Sequence, residues 1–372
     1  MPQQKQINFY NGYYVGEVND EDRAHGNGFY RFKDGGFYRG TWRDGKRHGR
    51  GTMEYQDGAM YFGDWADDKR HGIGFYRTAE GASYEGEWKN GQFHGHGAFR
   101  FSNGDVYVGT FAAGRIHGVG IKTYAKGGYY KGEWQNAAQH GRGEMKYVNS
   151  ALYTGDWENG KRQGRGIMHF ANGDYYDGDW ENGKQHGRGI VRYANGNCYN
   201  GDWENGHRTG DGVYYWANGE LYAGLFLEGR RHGTGTMKYE NGDSYHGEWQ
   251  NDERHGYGKM TYGNEERYEG SYVAGLRHGT GIHYFPSGAY YYGDFQNDKR
   301  HGRGTMNYAD GTRYEGAWEN GRPHGRGIMY YLDGSSVSGI WTDHRSAADA
   351  TRTAGGVSTR GRIFRGIFIP EG

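Results

Sequence analysis

The stretch YEGEWKNGQFHGHGAFRFSNGDV, from Tyr84 to Val106, decides the fold. Numbered 1 to 23 from Tyr84, it places Tyr, Gly and Trp at positions 1, 3 and 5 in alternation with polar residues. Phe99 and Phe101, at positions 16 and 18, flank Arg100. A two-residue period is the mark of a β-strand with one buried face. Asn90-Gly91 between the two runs is a strong hairpin signal, and Asn103-Gly104 supplies a second turn onward. The stretch therefore reads as one β-hairpin.

The same pattern fills the chain. Tyr recurs every 23 residues from Tyr38 to Tyr314, an earlier copy begins at Tyr14 with one extra residue, and a truncated copy begins at Val337. That makes fourteen full repeats and one partial repeat. Position 3 is Gly in all fifteen copies and positions 12 and 14 are Gly in all fourteen, while position 5 holds ten of the eleven Trp. One hairpin cannot cover its own Tyr and Trp, but copies stacked in register bury each aromatic row against the next. The expected fold is all-β, an elongated solenoid of stacked antiparallel β-hairpins, with glycine at position 3 making room for a neighbouring ring. The expected organisation is an N-terminal cap over 1–13, the repeat array over 14–341 and a C-terminal tail over 342–372.

Composition agrees with this. Of 372 residues, 73 are Gly and only 6 are Leu, which leaves too few helix formers for a helical core. The mean hydropathy of −1.09 points to disorder, but 17% aromatic residues supply large surfaces to bury. Four prolines and no three-residue glycine period exclude collagen. Basic and acidic residues number 45 each, so no net field favours nucleic acid, and the aromatics that could stack on bases are needed in the core. The single Cys198 and the polar start MPQQKQINFY place the chain, by expectation, in the reducing cytoplasm.

The repeat resembles the MORN (membrane occupation and recognition nexus) family, whose pattern Tyr-x-Gly-x-Trp-x-x-Gly-x-x-x-Gly-x-Gly is matched by Tyr84 through Gly97. The resemblance runs from Tyr14 to Trp341 and implies a twisted antiparallel sheet of hairpins. MORN segments occur attached to plant phosphatidylinositol phosphate kinases, histone methyltransferases and junctophilins. This chain instead resembles the MORN-only proteins: radial-spoke head components of cilia and cytoskeletal scaffolds of protozoan parasites. What that implies is a non-enzymatic scaffold with protein partners in a cytoskeletal or axonemal complex of a cilium or flagellum. It also implies homodimer contacts through terminal repeats and contact of the array with lipid.

The residues themselves offer little chemistry outside the repeat. His fills position 11 in twelve of fourteen repeats, yet successive copies should lie roughly 10 Å apart, too far to share one ion. A structural hydrogen bond in the loop is the expected role, and Gln163 and Thr209 can replace it there. Gly40 to Lys46 and Gly178 to Lys184 imitate a phosphate-binding loop, but Arg47 and Gln185 stand where Ser or Thr must hold magnesium, and no helix follows. No catalytic residue, cofactor or metal site is expected. The basic residues at positions 9, 10 and 13 are more informative. Lys46, Arg47, Arg50, Lys161, Arg162, Arg165, Lys184, Arg188, Lys299, Arg300 and Arg303 are expected to line one edge, beside an acidic strip of Asp156, Glu158, Asp179 and Glu181. Such an edge suits anionic lipid headgroups, phosphoinositides among them, or acidic protein tails. In the tail, polar and flexible from Thr342, the apolar cluster Ile363, Phe364, Ile367, Phe368 and Ile369 reads as a docking strand that folds back or onto a partner.

Overall fold

A computed structural model describes residues 3–371, which form 33 β-strands and no helix. They divide into two units between Gln185 and His186. In the first, strands from Gln3–Phe9 to Tyr175–Glu181 pair antiparallel in chain order. In the second, strands from Lys184–Arg192 to Ile367–Pro370 do the same. Among the described residues no strand returns to an earlier one, so neither sheet closes.

The repeat from Tyr84 shows why these residues build this unit. Strands Ser83–Lys89 and Gln92–Arg100 pair with Lys89 opposite Gln92, which leaves Asn90 and Gly91 as a two-residue turn. Both turn residues have positive φ, 52° and 85°, the geometry of a type I′ turn whose twist matches that of the strands. The second connection is longer. Phe101 N–H donates to the Asp105 carbonyl, and Asn103 Oδ1 accepts from the Asp105 amide, so an Asx turn leads into the next hairpin.

Inside the hairpin the register shifts between Gly86 and Glu87. Tyr84 pairs with Phe99, Gly86 with Gly97 and Trp88 with Phe93, so one residue, Glu87, spans three on the other strand. Gly95 takes the strained position of this bulge with φ at 52°. The Glu87 carboxylate closes it by accepting the His96 amide at 2.8 Å. Asp64, Glu133, Asp156, Asp202, Glu248 and Asp294 do the same at their own position 4.

The core is the row of tyrosines. Tyr84 is 0% exposed and lies across the glycine pair of its own hairpin, where a Cβ on Gly97 would run into its ring and hydroxyl. The glycines thus make room for the ring of their own repeat, a correction to the neighbouring ring expected from sequence. The Tyr84 hydroxyl donates to the Glu87 carbonyl at 2.7 Å. Burial raises the pKa of these phenols, that of Tyr107 up to about 12, so they remain donors at neutral pH. Each ring meets two others edge to face: Tyr84 is 5.3 Å from Trp88 and 5.0 Å from Phe111 of the next repeat. The Trp88 indole N–H donates backwards to the Gly74 carbonyl at 3.1 Å. Stacking and hydrogen bonding both cross from repeat to repeat, so no hairpin is complete alone.

The two ends continue the strand pattern. Residues 3–9 form a strand that pairs with Gly12–Val18 in the first repeat. The tail is corrected: its first residues are not flexible but belong to strand Ser336–Asp343, which crosses the expected boundary after Trp341. Strands Ser346–Ala354, Val357–Phe364 and Ile367–Pro370 then extend the second unit's sheet. Its apolar cluster is divided by strand alternation and by the turn at Arg365-Gly366. Ile363 is buried opposite Ala347, whereas Phe364, Ile367 and Ile369 are exposed and Phe368 is half-buried.

Candidate interaction faces

Strand alternation gives each unit two unlike faces. Positions 1, 5, 10 and 16 point to the aromatic side. Positions 2, 4, 13 and 15 point the other way, and there large side chains stand in solvent: Phe62, Ile73, Val108, Val119 and Ile121 in the first unit, Leu225, Tyr257, Tyr292 and Ile340 in the second. Val119 is 64% exposed. This second face is the open one.

The expected basic edge does not exist as one surface, because a bulge lies between positions 10 and 13. Arg47, at position 10, has only 21% of its side chain exposed and lies 4.5 Å over the Trp65 ring of the next repeat. Arg162 sits 4.1 Å over Trp180 and donates to the Gly183 carbonyl at 2.6 Å. Arg300 sits 4.4 Å over Trp318 and donates to the Gly321 carbonyl at 2.8 Å. In return the amide of Gly183 donates to the Arg162 carbonyl, and that of Gly321 to the Arg300 carbonyl. These arginines are clamps between neighbouring hairpins, with their cationic planes spent on rings and carbonyls. The Arg162 and Arg300 guanidiniums are correspondingly shifted down by desolvation.

Position 13 is different. Arg50 has 74% of its side chain exposed and Arg165 has 70%, both on the open face. There they meet position 4 of the next repeat: Arg50 is 3.5 Å from Asp64, Arg165 is 3.3 Å from Asp179 and Arg188 is 3.3 Å from Asp202. Positive and acidic strips are therefore interleaved rather than banded. Arg303 breaks the rule, since it faces Ala317. Lys46, Lys161, Lys184 and Lys299 lie at the hairpin tips, exposed and away from both arginine rows.

The histidine row meets the expected loop role only in part. Its backbone carbonyls take the extra hydrogen bond: Tyr84 O–H reaches the His94 carbonyl at 3.2 Å. The Nδ1 atoms of His71, His140 and His232 are buried without a hydrogen-bond partner, whereas His25 Nδ1 lies 3.4 Å from Asp44, His48 Nδ1 3.7 Å from Asp67 and His324 Nε2 3.2 Å from Glu319, and Gln163 Oε1 accepts the Asn182 amide. Among the described residues no group of three or more His, Cys, Asp or Glu is placed to hold a metal ion.

Two polar insertions on the aromatic side escaped the sequence reading. Position 16 is commonly Met, but Lys122 and His283 occupy it in two repeats. Lys122 Nζ lies 3.1 Å from Asp105, whose carboxyl is held below the usual range by the Ala125 amide and then by Lys122. His283 Nε2 lies 2.5 Å from Glu266 Oε1, and its Nδ1 is 3.4 Å from Arg277 Nη1. Burial pushes the imidazole down, so Nε2–H donates to Glu266 and Nδ1 accepts from Arg277. The departure from Met at position 16, with an acid seventeen residues earlier, is the signal that would have found both pairs.

A profile of the MORN repeat matches fourteen consecutive segments, from 14–37 to 314–336. The chain belongs to the MORN repeat family. As a MORN array it is a repeat scaffold for protein or membrane interaction. Among curated proteins none matches the sequence. Solved structures that align with the MORN array include the wild-type TCP10 domain of Danio rerio CPAP in complex with a peptide of Danio rerio STIL. That pair shares 8% identity over 63% of this chain and 92% of the other, with a TM-score of 0.29. The TCP10c domain of Drosophila melanogaster Sas-4 aligns at 11% identity over 48% and 93%, with a TM-score of 0.23. A streptogramin B lyase aligns at 10% over 79% and 94%, with a TM-score of 0.14.

Proposed function

We propose that this MORN array is a non-enzymatic scaffold that brings protein partners together in a cytoskeletal structure, that of a cilium or flagellum. The division of labour within the repeat supports this. Positions 1, 3, 12 and 14 are constant through the full repeats and position 5 is aromatic in all but the first, which fixes the hairpin and its aromatic side, while positions 2, 13 and 15 vary and lie on the other face. A regular backbone that displays an irregular series of side chains at fixed spacing is suited to placing different partners along one support. The cytoskeletal setting rests on the resemblance to MORN-only proteins of radial spokes and of protozoan scaffolds. Proximity labelling from the tagged full chain in its native cell tests it. Enrichment of axonemal or other cytoskeletal proteins is expected, and enrichment of membrane proteins and lipid enzymes instead would overturn it.

The lysines at the hairpin tips support a second reading, a peripheral membrane module that binds phosphoinositides. Lys46, Lys161 and Lys299 are exposed and free of the aromatic stacks that hold the position-10 arginines. Vesicle co-sedimentation that is salt-sensitive and lost in K46E/K161E/K299E would favour it. No sedimentation at moderate salt would remove it.

A further inference from the structure

On the open face, every position-13 arginine before Arg303 meets an aspartate at position 4 of the following repeat: Arg50 and Asp64, Arg142 and Asp156, Arg165 and Asp179, Arg188 and Asp202. In the last repeats of the second unit this pattern stops. Arg303 lies opposite Ala317, and Arg326 lies opposite Ile340. Neither guanidinium has an acidic partner among the described residues. The neighbouring acids are already engaged. Asp294 accepts the Arg303 amide and the Thr280 hydroxyl, and Glu315 accepts from Arg313 and from the Tyr330 hydroxyl.

Both arginines border a groove of about 730 Å³ that crosses the strands. Backbone of Gly304, Gly316 and Gly327 floors it, and Tyr292, Thr305 and Ile328 stand along it. Arg360 and Arg362 continue the same side, since strand alternation sets them opposite the buried Gly361 and Ile363. The sequence carries this bias too: from Lys299 onward there are eleven basic and seven acidic residues in a chain that is neutral overall.

We infer that the open face of residues 299–362 docks an acidic, extended peptide segment of a partner protein, with carboxylates bound by Arg303 and Arg326. This rests on the scaffold reading above and names the chemistry of one of its partners. The two arginines are on strands Lys299–Asn307 and Arg322–Tyr330, separated by one strand, so they lie roughly 10 Å apart across the sheet. A polyproline II segment repeats every three residues with a rise of about 3.1 Å each, so acids three apart project on one side about 9 Å apart. That matches the arginine spacing. The planar guanidinium suits bidentate capture of a carboxylate. A membrane is the weaker fit, because the groove that crosses the strands is lined by two basic residues, Arg303 and Arg326, whereas lipid-binding patches carry about four to eight.

The test uses the full chain and fluorescein-labelled peptides. One is Glu-Pro-Pro repeated four times, and its control has the same composition with the glutamates contiguous. Fluorescence anisotropy at low salt should show the spaced peptide binding about tenfold tighter than the control. The variant R303Q/R326Q should weaken it by about tenfold, R303K/R326K should restore only part, and R165Q, whose arginine is already paired, should bind as the native chain does. Equal binding of the two peptides, or unchanged binding by R303Q/R326Q, overturns the proposal. So does binding of R303- and R326-dependent vesicles of phosphatidylcholine with phosphatidylinositol bisphosphate when neither peptide binds. The scaffold reading fails separately, on the proximity-labelling profile: a cytoskeletal profile with no peptide binding sinks this surface alone.

Discussion

The two faces of the repeat are made from the same strands and obey different rules. On the aromatic side Tyr at position 1 and an aromatic ring at position 5 return every 23 positions, because Tyr84 contacts the next repeat and Trp88 the one before, so a change in either is felt by a neighbour. On the open side, position 13 runs through Asn27, Arg50, Ile73, His96 and Val119 without a pattern. Periodicity marks what must stack, and its absence marks what is free to differ. Position 10 and position 13 show how little sequence distance separates the two regimes: three residues and one bulge.

The largest way to break this comparison is to cut into the aromatic row. W88A removes a ring that touches Tyr84 and Phe93 and donates to the Gly74 carbonyl, and should cost about 3–5 kcal/mol. V119T on the open face should cost about 0.5 kcal/mol or less. Thermal or urea unfolding followed by circular dichroism checks both, and comparable losses would erase the distinction between the faces.

A smaller effect sharpens the boundary. Glu87 points to the open side, yet its carboxylate closes the bulge through the His96 amide. E87A should therefore cost about 1–2 kcal/mol although no aromatic contact is lost. Hydrogen exchange read at the His96 amide should show faster exchange in E87A, and an unchanged rate would remove the structural role of position 4.

The smallest effect is a pH slope. His283 is held neutral by burial, with its proton affinity below that of an unfolded histidine. As pH falls through about 6.5 the unfolded chain takes up a proton first, so stability is full above that pH and declines below it. H283M restores the residue common at this position and should flatten the melting temperature between pH 7.5 and 5.5, roughly the range of an ordinary histidine titration. An identical slope in H283M would assign the effect elsewhere.

The fold was legible because its cause is periodic. Tyr, Gly and Trp at positions 1, 3 and 5 and the Asn-Gly turn report strand, close approach and reversal within a single hairpin. The surfaces were less legible, and the bulge is the reason. Lys161, Arg162 and Arg165 look like one basic cluster in sequence, but the bulge around Gly164 sends Arg162 onto Trp180 and Arg165 to Asp179. The tail misled for a related reason. Its strands lack the Tyr-Gly-Trp pattern, so Ser346–Ala354 read as polar linker although backbone pairing alone carries the sheet through it. The open face could have been found earlier by following positions 2, 4, 13 and 15 and noting where an arginine lacks an aspartate.

Arg300 and Arg303 put the central claim within one strand. Arg300 stacks on Trp318 and donates to Gly321, whereas Arg303 faces solvent beside Ala317. The most direct test is the melting temperature of R300Q beside that of R303Q, measured at the same pH and salt. R300Q should melt about 1–3 °C lower, reflecting about 1–2 kcal/mol of lost stacking and hydrogen bonding, and R303Q should melt with the native chain. Equal shifts in the two variants, or a larger shift in R303Q, would contradict the assignment of the aromatic side to stability and the open side to partners.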